Sequence, residues 1–551
     1  MDYLKAFNAM EMNPRDYARK IAVPVVAFGF IFSIVIYVLL PGLFTGNTMM
    51  LPALLPVICI IFVFYYPFSI LGGKASEIDN NMHYYITHMG VISTADTPRL
   101  DIIKIVSQNE SYGFLAKESE KIYDLVTVWN MSLADACRFG SKRTPSVLYE
   151  DFLDRFAHGL QSGEDIQSFL KAEQNVVMNE YEAMYNSALY AVEVIKELFI
   201  SLIMALIFLA SFAIIMPVIT GMDVIMLMSV VVVVFIGTDM VMIAFTRSKV
   251  PNDPIWQQTK ILTKSKIRLY QSIPISIAGC IVAAIAVILY GKLDLPIAVA
   301  VVLTPLFYMG HVASDIEKDI KRKDENYPSL IRSLGSSAGA RGGLIDEALK
   351  ALRIHDFGPL TKDVNALYKR LNTRVDKKKS WNFFAANTGS NLIQRFSGMF
   401  VEATNLGGKP EVIGEMIANN FHRIVSLRKK RYQSASSLVG VLYGLTGGIG
   451  FTLYISIGVV DLMQDMFSTV SIPEGMSMGM VINPDIGSIE VLSAMILLIM
   501  VAHSLMSALL LRFVDGGHIL RASKDFVIMV WVSAFSAVIT VSGVATLLGT
   551  S

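Results

Sequence analysis

Cysteine, charge and phosphate-binding loops are what this chain has least of. Only Cys59, Cys137 and Cys280 occur, with no CxxC and no metal-ligand spacing, which excludes a disulfide scaffold and leaves three small buried hydrophobes. Charged residues make up 17% against 53% hydrophobic, and the mean hydropathy of +0.52 lies outside the soluble globular range. GGKPE at Gly407 and GSKRT at Gly140 lack the glycine spacing followed by Lys-Ser/Thr that cradles phosphate. The chain is therefore not expected to hydrolyse nucleotide, and no cofactor or metal is expected. Its cations are not interleaved with exposed aromatics, which argues against a nucleic-acid partner.

Long apolar runs are what it has in quantity. A hydrocarbon core about 30 Å thick needs roughly 20 apolar residues per helix. Nine segments qualify: Ile21–Leu40, Met50–Leu71, Leu198–Ile219, Val224–Phe245, Ile273–Tyr290, Leu295–Val312, Leu438–Val460, Ile489–Leu511 and Phe526–Leu548. Irregular backbone in lipid is costly, and the ten-residue alternation of a barrel is absent, so these read as helices. Of 47 Lys and Arg, Lys292 alone falls in a loop assigned to the outside. The outer loop 461–488 carries Asp461, Asp465, Glu474 and Asp485 and no cation. Positive charge stays inside, so the polar residues 1–20 and both large inserts are expected in the cytoplasm and the carboxyl end outside. The first apolar run reads as a retained span rather than a cleaved signal.

Insert one, 72–197, holds 11 Lys/Arg against 19 Asp/Glu, and insert two, 313–433, holds 22 against 13. Both show apolar residues at helical spacing and little strand pattern, and read as all-α bundles. In insert one a helix breaks at Ser162-Gly163, and the next, from about Ile166, is expected to run on into the third span. The inserts repeat at a shift of about 245 residues. Gly90 falls on Gly335, Asp101 on Asp346, Gly113 on Gly358, Tyr123 on Tyr368, Phe139 on Phe384 and Gly163 on Gly408. The expected fold is thus an all-α polytopic membrane protein of about nine spans with two duplicated cytoplasmic helical bundles.

Several residues are candidates for more than packing. Asp239 lies near the cytoplasmic end of the fourth span; an aspartyl protease would need a second deep carboxylate, and packing or snorkelling is the expected role. His503 and His311 stand singly, and an interhelical hydrogen bond is expected rather than a proton relay. Gly440, Gly444 and Gly448 lie four apart and suit close helix packing, against another span or a second copy. The loop 246–272 has six cations against Asp253 alone and reads as topogenic charge facing anionic lipid, with contact to a partner protein as the alternative. In insert two, Arg341, Lys369, Arg370, Arg374, Lys377, Lys378 and Lys379 form a basic run, either a solvated surface or a dock for an acidic partner.

Two spans, a helical domain, two more spans and then the same again: this duplicated plan resembles the platform proteins of type II secretion and type IV pili. The opening PSLIRSLGSSAGARGGLIDEALK (Pro328 to Lys350) looks like the start of an F-type secretion domain, and GGKPEVIGEMIANN (Gly407 to Asn420) like its closing helix. Nine spans, the acidic outer loop and GVISTADTPRLDIIKI (Gly90 to Ile105) resemble the platform subfamily of the archaellum, the archaeal flagellum, related to the tight-adherence C proteins. The resemblance implies a non-enzymatic scaffold in the cell membrane, expected as a homodimer. Implied partners are a hexameric secretion-type ATPase, pilin-like archaellins and other motor components, with the basic run as the ATPase dock. A secondary transporter would show broken helices with polar pairs at mid-membrane; that reading and the intramembrane protease remain as alternatives.

Overall fold

A computed structural model of the protein describes residues 3–10, 12–39, 54–220, 222–469 and 489–548. The ends expected at Leu40 and Met50, and residues 470–488 of the acidic outer loop, lie outside them. Among the described residues, eight helices are long and apolar enough to cross a membrane. A ninth crossing forms only if Leu295–Leu303 and Leu306–Gly339, which meet at a 45° bend, count as one span. Pro305, with no N–H to continue the ladder, stands at that break.

The chain divides into two compact units. One comprises residues 1–182 and 399–417, the other 183–398 and 418–551. In the first, helix α1 (Tyr3–Met10) precedes the span α2 (Val23–Leu39), and α3 (Leu54–Ser93) carries the second span onward into the polar domain. There α4 (Arg99–Ser107), α5 (Phe114–Thr127), α6 (Leu133–Ser141) and α7 (Val147–Ser162) close round an aromatic core of Tyr85, Tyr112, Tyr149, Phe152 and Phe156, all 2% exposed or less. Helix α8 (Ile166–Thr220) is continuous over 55 residues, as its sequence predicts. At 1.5 Å per residue it is about 80 Å long, more than twice a bilayer core.

The second copy of the repeat follows the same plan. The spans α9 (Val224–Lys249) and α10 (Lys264–Tyr290) are followed by the bent pair α11 (Leu295–Leu303) and α12 (Leu306–Gly339). The domain helices are α13 (Ile345–Leu352), α14 (Thr361–Asn372), α15 (Lys377–Thr388) and α16 (Asn391–Asn405). The 60-residue α17 (Pro410–Thr469) then leads to the spans α18 (Ile489–Asp515) and α19 (Ala522–Leu548). A membrane core formed by α8, α9, α17, α18 and α19 buries Phe199, Met228, Phe235, Leu442, Leu453 and Ile496.

Backbone details fix the register of the repeat. Gly113 and Gly358, 245 apart, share φ near +58°. Asn130 and Arg374, left-handed at +51° and +59°, are 244 apart, as are the helix-ending Gly163 (+72°) and Gly407 (+93°). Asp79 bonds Ser146, which caps α7, and Asp324 bonds Ser390 just ahead of α16. The α5–α6 turn is therefore one residue longer than the α14–α15 turn. This corrects the gapless alignment: Phe139 pairs with Phe383 and Gly163 with Gly407. Each copy also begins before its first span. Lys5 reaches Glu150 at 2.8 Å, and the N–H of Gln258 donates at 2.9 Å to Gln394, the counterpart of Glu150.

The loop 246–272 is more than a facing for lipid. Its middle is buried: the N–H of Gln257 donates to Gly389 and that of Asn391 to Ile255, while Trp256 bridges Ser390. The glycines of α17 divide similarly. A Cβ on Gly440, Gly444 or Gly448 would meet nothing within 4 Å among the described residues. Close approach falls instead to Gly447, beside Val532, and to Gly450, whose Cβ would come 2.6 Å from the carbonyl oxygen of Ser533. Gly450→Leu is therefore expected to lower the melting temperature of the purified protein by more than about 5 °C, and Gly444→Leu by less than about 2 °C. Equal shifts would contradict this packing.

Candidate partner-binding site

The second copy's α14–α15 turn gathers six of the seven basic candidates. Lys369 and Arg370 occupy the last turn of α14, where the helix dipole favours cations, and the Arg370 guanidinium lies 5.3 Å from the Phe383 ring centroid. Arg374 takes the left-handed position that reverses the chain. Asp376 then caps α15, accepting from the N–H of Lys379 at 2.8 Å. Lys377, Lys378 and Lys379 form the first turn of α15, all exposed. Three ammonium groups at a helix N-terminus oppose the dipole, so their placement costs helix stability and favours an anionic partner. Arg341 belongs to a different turn, between α12 and α13, and donates back to Ser337 of α12 at 2.6 Å.

The first copy differs at these positions. Asp124 and Leu125 stand where the second has Lys369 and Arg370, Asn130 for Arg374, and Leu133, Ala134 and Asp135 for the three lysines. One backbone turn thus presents apolar and acidic groups in one copy and positive charge in the other.

The second copy also holds a buried ionic collar that the sequence reading missed. Arg428 of α17, 3% exposed, donates to both oxygens of Asp253, with Nε at 2.8 Å, and to Asp324 at 3.2 Å. Burial pushes the Asp324 carboxyl up to about 6, against the pull of Arg428. Three residues on, Arg431 donates to the carbonyls of Val514 at 2.6 Å and Phe513 at 3.0 Å, capping the C-terminus of α18. Glu317 of α12 accepts from Trp256 at 3.1 Å and Arg521 at 2.8 Å. Arg512 bridges Asp515 and Asp525, and the Tyr443 hydroxyl donates to Asp525 at 2.8 Å. The domain of the second copy is thereby bolted to the loop 246–272 and to the last two spans. The available signal was register. Arg428 and Arg431 fall in step with the buried Phe421, Ile424, Ala435 and Leu438, whereas Lys429 and Lys430 fall off that stripe and are exposed.

Inside the membrane core, Asp239 and His503 find each other. His503 Nδ1 lies 3.0 and 3.2 Å from the Asp239 oxygens, and its Nε2 lies 3.3 Å from Ser507 Oγ. Asp239 is 1% exposed, so it does not snorkel, and its partner is a histidine rather than the carboxylate a protease dyad requires. The expected interhelical hydrogen bond of His503 is present. His311 lies 3.5 Å from Asp315 on its own helix. Among the described residues no group of three or more His, Cys, Asp or Glu could hold a metal ion, and the cysteines are free.

Residues 85–217 match the family of the type II secretion system protein F. That interval runs from the core of the first domain through α8. The chain is also 37% identical over 551 residues to flagella accessory protein J of Methanocaldococcus jannaschii, covering 98% of this chain and 97% of the relative. It is 36% identical over 542 residues to flagella accessory protein J of Methanococcus voltae, covering 96% of each. No solved structure matches it. With likeness at this level over nearly the full length of both relatives, this chain is a membrane protein of the flagella accessory protein J family.

Proposed function

We propose that the protein is the non-enzymatic membrane platform of an archaellum or type IV pilus-like machine. It anchors a cytoplasmic hexameric secretion-type ATPase and couples it to the assembly and rotation of a filament of pilin-like archaellins, beside other motor components. The amino end and both domains face the cytoplasm and the carboxyl end lies outside, following the distribution of Lys and Arg. The reading also expects a homodimer, for which the Gly440, Gly444 and Gly448 face is open. Nearly full-length likeness to two flagella accessory proteins and a match to the family of the type II secretion system protein F support the role. The observation that carries the docking assignment is the basic α14–α15 turn, which the first copy lacks.

The collar suits such a platform. A load applied at the basic turn reaches α17, α18 and α19 through buried, bidentate arginine contacts rather than through a loose linker. The test is co-purification of the ATPase with the full-length protein from detergent. Reversal of Arg374, Lys377, Lys378 and Lys379 to Glu is expected to cut ATPase retention at least about tenfold and to abolish swimming. The matching Arg341→Glu variant shows whether that separate turn contributes. Retention unchanged by the fourfold reversal would sink the docking assignment.

A further inference from the structure

The first two spans enclose a groove with no polar residue in its lining. It holds about 450 Å³ between α2 and α3, within the range of ligand sites. Val23, Val26, Ala27 and Phe30 of α2 and Val63 and Phe64 of α3 line it, among others, all apolar. Val63 is buried at its floor, while Val23, Phe30 and Phe64 are more than half exposed at its rim. At 1.5 Å per residue the stripe from Val23 to Phe30 runs about 10 Å along the helix. Water finds no hydrogen-bonding partner there, so the occupant that the walls suit is a hydrocarbon chain. A chain laid in the groove also gains contacts from two helices, where one lying on a single helix gains them from one side.

The mouth of the groove says what the chain is attached to. Just ahead of α2, Ala18–Ala22 forms one π-helical turn, a feature frequent at functional sites. Arg19 lies four residues before Val23, on the groove's own stripe, and Arg15 lies a further turn back. Lys20 adjoins Arg19, and all three cations are exposed. Across residues 12–73, Asp16 is the one acid against these three. The buried Tyr17 hydroxyl donates at 2.6 Å to the carbonyl of Val63, which pins the mouth to the groove's floor. Its ring stacks on Tyr66 at 6.4 Å. Tyrosines gather where membrane meets water, so the three cations stand at the level of lipid head groups and the groove opens one turn below Arg19.

We infer that this groove binds one anionic membrane phospholipid, whose hydrocarbon chain lies between α2 and α3 and whose phosphate meets Arg19, Lys20 and Arg15. The chain supplies apolar burial, and the cations select the sign of the head group. The planar forks of Arg15 and Arg19 match phosphate oxygens in pairs, while Lys20 adds a point charge. The inference goes beyond the platform reading and does not depend on it. A free phosphate would meet the same cations without entering the groove, so head group and tail are tested separately.

The probe is dioleoyl phosphatidylglycerol, titrated onto the delipidated full-length protein in neutral detergent and read by native mass spectrometry. Dioleoyl phosphatidylcholine and glycerol 3-phosphate are run beside it. The first phosphatidylglycerol is expected to bind at least about tenfold more tightly than the first phosphatidylcholine. Excess glycerol 3-phosphate is expected to leave it bound. Arg15→Gln/Arg19→Gln/Lys20→Gln is expected to erase the preference between the two lipids. Ala27→Phe, which sets a ring where the chain would lie, is expected to weaken the first phosphatidylglycerol about tenfold. Equal affinity of the two lipids for the unaltered protein, which needs no variant to fold, would leave only an ordinary lipid shell and overturn the inference. So would a preference that survives loss of the three cations, which would place the head group elsewhere. Binding untouched by Ala27→Phe, or displaced by glycerol 3-phosphate, would equally overturn it, because the tail would then lie outside the groove.

Discussion

Arg428→Ala should be among the most damaging single substitutions in the second domain, lowering the stability of the detergent-purified protein by about 3–5 kcal/mol. The guanidinium is 3% exposed and answers two carboxylates, Asp253 and Asp324, that are 7% and 3% exposed. Removing it takes away the fork that spans Asp253 and reaches Asp324 while both stay buried, which costs far more than the intact triad contributes over an apolar replacement. Arg428→Lys should fall between, because a single ammonium cannot match the fork that spans Asp253 while reaching Asp324. Chemical denaturation followed by helix signal measures all three proteins. A loss below about 0.5 kcal/mol for the alanine variant would mean that the collar does not hold the domain.

The same cluster sets a pH dependence of definite sign. The Asp324 carboxyl ordinarily titrates near 3.8, and burial in the folded protein raises it to about 6. A carboxyl raised by folding contributes stability that is fully present below its unfolded value and is lost as pH climbs through its folded one. Between pH 7.5 and pH 5 the folded protein therefore gains about 1 kcal/mol from this group. Asp324→Asn, which can still meet Ser390, should remove that gain, so that the shift in melting temperature between the two pH values is smaller for the variant than for the unaltered protein. Identical shifts would show that Asp324 is not the group responsible.

What the sequence disclosed and what it withheld follow one physical line. Lipid enforces long apolar helices, so the spans and the run of α8 from domain into membrane were legible, as was the duplication, which leaves glycines where chain reversals need positive φ. The one-residue slip in the α14–α15 turn was not legible, because similar residues line up passably on either side of it: Phe139 can be matched to Phe384 as easily as to Phe383. Arg428 was hidden within the run Arg428 to Arg431, where four adjacent cations suggest a solvated face although two are buried. Asp253 looked like one acid lost among cations, since its importance lies in a partner 175 residues away. The basic turn was legible as charge, but its contrast with the first copy needed the register that only the backbone supplies.

Asp239 and His503 illustrate the same limit and lead to a sharp expectation. Each looked solitary because 264 residues separate them, yet together they join α9 to α18 in a site with no solvent exposure. Rings of Phe199, stacked at 5.9 Å, and Phe235, edge-on at 5.5 Å, close over the imidazole and keep water from either partner. His503→Ala would strand a carboxylate in that apolar shell, and a destabilisation of about 3 kcal/mol is expected, the scale of an aspartate left at a helix centre in a membrane. Asp239→Ala leaves an imidazole that keeps its bond to Ser507, so about 1 kcal/mol is expected. The double variant Asp239→Ala/His503→Ala should therefore be more stable than His503→Ala alone, since deleting the stranded acid relieves more than its loss costs. Unfolding of the four proteins in one detergent closes the cycle. Strict additivity of the two single effects would show that Asp239 and His503 do not act as a pair, and that the contact between α9 and α18 rests on apolar packing alone.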